Sequence, residues 1–117
     1  MPRSVNAVAS FRRRKKLIKE AKGQRGGRRN LLRPARDGRQ KAMIYAYRDR
    51  RRRKRDFRSL WIVRIAAAAK INGTSYSRLM GRLRVAGVDI NRKMLADLAT
   101  RDPEGFRLLV EQVSPAG

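Results

Sequence analysis

Residues 45–65, YAYRDRRRRKRDFRSLWIVRI, constrain the fold of this chain most, because the two halves of the stretch need different surroundings. Residues 48–58 comprise eight Lys or Arg, two Asp and one Phe, and the interior of a small protein cannot hold such a composition. From residue 57 onward, apolar residues recur at three- and four-residue spacing, as on one buried helix face: Phe57, Leu60, Trp61, Ile65, Ala68 and Ala69. The stretch therefore predicts one helix that leaves a basic, exposed region and enters a hydrophobic core.

The charge pattern of residues 48–58 favours a negatively charged partner. If the segment is helical, four pairs of residues four apart carry like charge: Arg48/Arg52, Arg50/Lys54, Arg51/Arg55 and Lys54/Arg58. Two pairs carry opposite charge: Asp49/Arg53 and Arg52/Asp56. At roughly 0.2–0.5 kcal/mol per pair, the balance opposes the isolated helix by up to about 1 kcal/mol. A polyanion would remove this repulsion and gain counterion release, whereas a merely solvated helix face normally alternates its signs.

The charge of the whole chain is unevenly placed. The formal net charge is +23, and residues 1–58 carry 23 Lys or Arg against 4 acidic residues, whereas residues 59–117 carry 9 against 5. We therefore predict two parts, a basic extension over residues 1–58 and a compact helical domain over residues 59–117. Such an excess of cations indicates nucleic acid as the first candidate partner and an anionic membrane surface as the second. No apolar run approaches the roughly 18–20 residues needed to span a bilayer. The weak apolar face of residues 7–22 and the capped helices of the C-terminal part oppose a membrane-active chain, so we expect no membrane partner.

Catalysis and metal binding have little support in this sequence. The chain has no cysteine and no histidine, which removes disulfides, thiolate metal sites and the commonest general base. The few acidic residues are scattered, and each is explained by a helix start or by a neighbouring arginine. We therefore predict no enzymatic activity, no catalytic residue, no metal site, no cofactor and no small-molecule substrate.

The chain reads as all-α, with a short basic helix, a glycine-rich joint and one very long helix before the C-terminal domain. Residues 7–22 form a thin apolar stripe among cations, and residues 22–30, KGQRGGRRN, break the helix. The start of the long helix falls between residues 27 and 39, with Pro34 well suited to a first turn. Gly73 ends it after Asn72. An Arg-rich N-terminus is also typical of an organelle transit peptide, but here the basic character continues beyond thirty residues.

Three short helices are predicted after Gly73. Thr74 or Ser75 can cap the first, Asn91 the second, and the sequence Asp102-Pro103-Glu104 is a strong helix start. Their apolar residues fall at helical spacing: Tyr76, Leu79, Met80 and Leu83, then Met94, Leu95 and Leu98, then Phe106, Leu109, Val110 and Val113. We expect these three faces to pack on the apolar face of the long helix and form one small core.

The cations and two tyrosines are the candidate nucleic-acid contacts. Tyr45 and Tyr47 can stack on unpaired bases, although Tyr45 can equally serve in surface packing. The spacing of Trp61 favours the core over a base platform. Arg92 and Lys93 begin a helix, where cations oppose the helix dipole, which indicates a contact instead. The full set of candidates is Arg12, Arg13, Arg14, Lys15, Lys16, Lys19, Lys22, Arg25, Arg28, Arg29, Lys41, Tyr45, Tyr47, Arg48, Arg50, Arg51, Arg52, Arg53, Lys54, Arg55, Arg58, Arg64, Arg92 and Lys93.

The spread of these cations favours RNA over DNA. A DNA reader usually presents one compact helical motif with a few base-reading side chains. Here the cations cover two helices and a glycine-rich joint, which suits a folded RNA with grooves and junctions on several sides. Such an extended arm is expected to become ordered when it binds.

The chain resembles the bacterial large-subunit ribosomal protein L20 family along nearly its whole length. The segments that carry the resemblance are MPR, RRRKKLIKEAKG, YAYRDRRRRKRDFRSLWIVRI, NGTSYSRLMGRL and INRKMLADLA, in the order and spacing of the family. The chain departs from the family pattern at Gln24 and Arg25, where aromatic residues are usual, and at Pro34 and Gly38.

The resemblance implies a structural protein of the large (50S) ribosomal subunit, in the bacterial cytoplasm. It implies direct binding to 23S rRNA, a requirement in early assembly of the large subunit, and no role in peptide-bond chemistry. It also implies contacts with neighbouring large-subunit ribosomal proteins. The alternative function is a nucleoid-associated DNA-binding protein.

Overall fold

A computed structural model describes residues 7–115 of the chain. Within this range the chain forms five α-helices, one 3-10 turn and no strand, so the predicted all-α fold is confirmed. The helices are α1 (Ala7–Glu20), α2 (Leu32–Ile71), α3 (Tyr76–Val85), α4 (Arg92–Arg101) and α5 (Pro103–Val113), and the 3-10 turn is Gly26–Arg29. Within residues 7–115, no helix has the apolar stretch that a membrane-spanning segment needs.

The long helix α2 begins at Leu32, inside the window that the sequence left open. Pro34 is its third residue, in the first turn, where the missing N–H costs no intrahelical hydrogen bond. Gly38 lies inside the helix because the joint approaches closely there: a β-carbon at this position would lie 3.2 Å from the side-chain oxygen of Gln24. The helix thus tolerates two residues that usually break helices.

The chain divides into two compact units, with the division between Arg51 and Arg52. In the first unit, the only buried residues among those described are Ala21 and Ala35. An ion pair between Glu20 on α1 and Arg39 on α2 lies in the same region. The described part of the first unit, residues 7–51, therefore has very little hydrophobic core of its own.

The second unit contains the hydrophobic core. Its buried residues come in pairs from four helices: Ile65 and Ala69 from α2, Leu79 and Leu83 from α3, Leu95 and Ala96 from α4, and Phe106 and Val110 from α5. These pairs confirm the predicted packing of three short helices on the C-terminal part of α2.

Two residues predicted to face the core do not reach it. The side chains of Phe57 and Leu60 are 49% and 40% exposed, and Trp61 is the first residue of α2 that packs against the core. The apolar pattern of α2 therefore begins before the point that the three short helices can cover. Met94 on α4 is also exposed, at 57%.

The starts of the three short helices match the sequence signals. The side-chain oxygens of Ser75, Asn91 and Asp102 accept hydrogen bonds from backbone N–H groups three residues later, at 3.4, 2.9 and 3.0 Å. Gly73 and Gly87, which follow α2 and α3, have φ of +73° and +69°, a conformation that favours glycine. The second unit is thus built from helices with well-defined ends.

Candidate nucleic-acid interface

The candidate cations of the first unit lie at the protein surface. Every described Lys and Arg of α1, the joint and α2 up to residue 51 is exposed, except Arg39, which is half-buried. No charged side chain in the described part of the chain is buried. The exposed candidates here are Arg12, Arg13, Arg14, Lys15, Lys16, Lys19, Lys22, Arg25, Arg28, Arg29, Lys41, Arg48, Arg50 and Arg51.

Intramolecular carboxylates neutralise almost none of this charge. Among the candidate cations, only Arg48 forms an ion pair within residues 7–115, with Asp49 at 3.2 Å. The helical pairs expected between Asp49 and Arg53 and between Arg52 and Asp56 do not form. Asp49 pairs with Arg48 instead, and Asp56 makes no ion pair in the described range. The basic stretch therefore presents its charge to whatever lies outside the protein.

The two candidate stacking tyrosines are exposed, and cationic side chains already lie near their rings. The guanidinium carbon of Arg51 lies 3.5 Å from the ring centre of Tyr47, and its Nη1 donates a hydrogen bond to the backbone oxygen of Tyr47 at 3.2 Å. Arg48 and Lys41 lie 4.8 and 5.9 Å from the ring centre of Tyr45. An incoming base must therefore stack on a free ring face or displace an arginine.

The second unit brings two candidate groups together that are far apart in sequence. One group lies on the basic part of α2 and the other at the start of α4. They surround an open cavity of about 560 Å³ beside the single tryptophan of the chain, lined by Lys54, Arg55, Arg58, Trp61, Asn91, Arg92 and Lys93. Arg92 is half-buried, and its Nε donates a hydrogen bond to the hydroxyl oxygen of Tyr76 at 2.7 Å.

The remaining candidates lie close to this cavity or on the same helix. Arg64 is exposed and lines a smaller cavity of about 250 Å³ together with Trp61 and Lys93. Arg52 and Arg53 are exposed on α2. Trp61 thus packs against the core, as its spacing predicted, and also forms a wall of both cavities.

Sequence reasoning passed over three residues that belong with these candidates. Arg33 and Arg36 are exposed cations in the first two turns of α2. The clustering of basic residues that identified the other candidates could have identified these two as well. Asn91 was predicted only as a helix cap, but it also lines the cavity beside Trp61. No local signal in the sequence indicates that Asn91 lines the cavity, because this depends on the packing of α4 against α2.

The described residues offer charge and aromatic surface. No cluster of three or more carboxylates that could hold a metal ion occurs within residues 7–115. Arginine forks and lysine ammonium groups can neutralise phosphates, and exposed aromatic rings can stack on bases. The arrangement therefore suits binding of a nucleic acid.

Comparison with known proteins agrees with this chemistry. The family described as Ribosomal protein L20 matches residues 3–109. The large ribosomal subunit protein bL20 of Pelotomaculum thermopropionicum is 59% identical over 111 residues, which cover 95% of each chain. The protein of the same name from Amoebophilus asiaticus is 55% identical over 114 residues, covering 97% of this chain and all of the relative. The chain belongs to the ribosomal protein L20 family, whose members are structural components and not enzymes.

Proposed function

We propose that this protein is a structural component of the large ribosomal subunit that binds 23S rRNA directly and is needed early in assembly of that subunit. It acts in the cytoplasm, beside neighbouring large-subunit proteins, and has no part in peptide-bond chemistry. Residues 1–58 form the rRNA-binding extension, and residues 59–117 form a compact domain that adds contacts around Arg64, Arg92 and Lys93.

The observation that carries the proposal is the exposed and unneutralised charge of α1, the joint and the first half of α2. These cations have no carboxylate partner among the described residues, except Arg39 with Glu20 and Arg48 with Asp49. Several like-charged pairs repel one another along residues 48–58, so the helix gains stability when phosphates lie between them. The names of the relatives identify the large subunit as the setting in which such a polyanion is available.

The test reverses two exposed charges of the extension and compares rRNA with DNA. In Arg51→Glu/Arg55→Glu, two phosphate contacts are lost, and we expect weaker binding to fragments of 23S rRNA. The slope of log affinity against log salt concentration should fall by about two. Both side chains are exposed, so the urea midpoint of the C-terminal unit should not change. Unchanged rRNA affinity in this variant would contradict the proposal.

The matched control is Arg78→Glu/Arg84→Glu on α3. It makes the same change in net charge at two exposed positions outside the candidate set. A general loss of electrostatic attraction would weaken both variants equally, whereas specific contacts along α2 predict a larger loss for Arg51→Glu/Arg55→Glu. If both variants bind rRNA equally, residues 51 and 55 make no specific contact.

The alternative function, a nucleoid-associated DNA-binding protein, makes a different prediction for the unmodified chain. A protein with many phosphate contacts loses roughly 10³–10⁵ in affinity between 50 and 200 mM salt, whichever nucleic acid it holds. If the chain also makes contacts specific to its rRNA site, one 23S rRNA fragment should keep tight binding at the high-salt end while duplex DNA of equal charge is released. If both are lost together, the chain is a general polyanion binder and the ribosomal proposal fails.

A further inference from the structure

The cavity beside Trp61 has features that simple charge neutralisation does not require. We propose that it receives a single unpaired nucleotide of the bound RNA, with the base against the indole of Trp61 and the phosphate among the surrounding cations. This inference rests on the proposed function, since it names the kind of RNA feature that the C-terminal unit takes.

The size of the cavity suits one nucleotide. Its volume is about 560 Å³, within the range of about 300–1,000 Å³ in which small molecules bind to proteins. All the residues that line it belong to the second compact unit, so its walls rest on helices α2 and α4 and on the core beneath them. The cavity is therefore a feature of the part of the chain that has a hydrophobic core.

The charges around the cavity favour the binding of an anion. Five cations line it, three from neighbouring turns of α2 and two from the start of α4, and no carboxylate does: Lys54, Arg55, Arg58, Arg92 and Lys93. None of the five forms an ion pair within residues 7–115. Like charges that face one another across an open space repel, and a phosphate between them converts repulsion into attraction.

Trp61 gives the cavity a base-binding wall. The indole is half-buried, packs against the core, and lies 6.2 Å from the ring centre of Phe57, so its position is fixed before a ligand arrives. The hydrogen bond from Arg92 to Tyr76 likewise holds one of the cations in place. A preorganised wall of this kind loses little conformational freedom on binding.

An aromatic wall distinguishes an unpaired nucleotide from a duplex. A paired helix presents phosphates and riboses at its surface and keeps its base faces stacked inside, where an indole cannot reach them. An unpaired base exposes a flat face, and stacking on an aromatic side chain adds about tenfold or more in affinity with little sequence preference. The occupant that uses both the cations and Trp61 is therefore an unpaired nucleotide, in a bulge, loop or single strand.

Because Trp61 is the single tryptophan of the chain, its intrinsic fluorescence reports on the surroundings of this one residue, which lines this cavity and the smaller one beside Arg64. The experiment titrates the full chain with four fluorescein-labelled probes: a single-stranded oligoadenylate, an RNA duplex with the same number of phosphates, duplex DNA of equal charge, and 23S rRNA fragments. Anisotropy of the label measures binding, and tryptophan emission measures stacking. At equal saturation, we expect strong quenching by the single strand and little by the duplex.

The two readouts separate the two hypotheses. Saturable binding of the single strand without more quenching than the duplex causes overturns the nucleotide site and leaves the rRNA proposal standing. If 23S rRNA fragments bind no better than duplex DNA of equal charge, the rRNA proposal fails and the inference fails with it. Quenching by the single strand together with selective rRNA binding supports both.

A charge-matched pair of variants tests the cavity without disturbing the core, which Trp61→Ala would damage. Arg58→Gln/Lys93→Gln removes one exposed cation from each side of the cavity. Lys70→Gln/Arg78→Gln removes the same charge at exposed positions outside it. We expect the first variant to bind the single strand about tenfold more weakly than the second and to show less quenching at saturation. Equal affinities and equal quenching would overturn the proposal.

Discussion

The two compact units of this chain differ in what holds them together. Among the described residues up to 51, the buried residues are two alanines, whereas the unit from residue 52 buries eight apolar residues from four helices. Both units expose many cations, but among the described residues only the second buries large apolar side chains, and apolar burial is what offsets the entropy of ordering a chain. The contrast teaches that one continuous helix, α2, can pass from a region with its own hydrophobic core into a region with little core, where we propose that an external polyanion supplies the stability.

The largest test of this contrast is Phe106→Ala. Phe106 is fully buried in the core of the second unit, and removing a buried phenyl group costs about 3–5 kcal/mol. We expect this loss in urea unfolding followed by circular dichroism. The control is Leu108→Ala on the same helix, where the side chain is 58% exposed and the change should stay within about 0.5 kcal/mol. Equal losses would mean that the core is not where the structure places it.

A smaller and more local effect is expected from Ala35→Leu in the first unit. Ala35 is fully buried, so the larger side chain forces neighbouring groups apart at a cost of about 1–3 kcal/mol. Backbone amides of residues 7–20 should then exchange hydrogen about five- to a hundredfold faster, while the urea midpoint of the second unit stays the same. Ala42→Leu, at an exposed position of α2, is the control and should change neither quantity. A shifted urea midpoint in Ala35→Leu would contradict the independence of the units.

The smallest effect concerns a helix start in the second unit. Asp102→Ala removes the acceptor for the N–H of Gly105 and should lower the free energy of unfolding by about 1 kcal/mol. Asp97→Ala breaks only an exposed ion pair with Arg101 and should cost about 0.3–0.5 kcal/mol, less at high salt. If the two variants lose the same stability at high salt, Asp102 does not act as a cap.

The sequence predicted the second unit well because its signals are local. Asn91 and Asp102 cap helices through bonds that span three residues, and Gly87 ends a helix through its own φ. Phe106 and Val110 lie one turn apart on one face, so their burial follows from spacing. Each of these features is determined by a few neighbouring residues, which is why a pattern in the sequence predicts them.

The sequence could not predict features that depend on packing between distant segments. Phe57 and Leu60 fit the apolar spacing of α2 but are exposed, because spacing identifies a face and not how far other helices cover it. Arg58 and Lys93 line the same cavity beside Trp61 because α4 packs on α2, and neither segment alone predicts this arrangement. The direct contacts of the candidate cations with rRNA remain a prediction for the binding experiments.

The unbroken course of α2 has a consequence for the order in which the chain is made. The N-terminal half of this helix is synthesised first and leaves the ribosome before Ile65 and Phe106 emerge to form the core. An isolated helix with like charges along it is marginal in water, so its first half has no internal support during translation. Without RNA, we therefore expect α2 to form from its C-terminal end, which the core stabilises, toward its N-terminal end, which is synthesised first. A nascent chain that meets RNA before that core is complete would instead order from its N-terminal end.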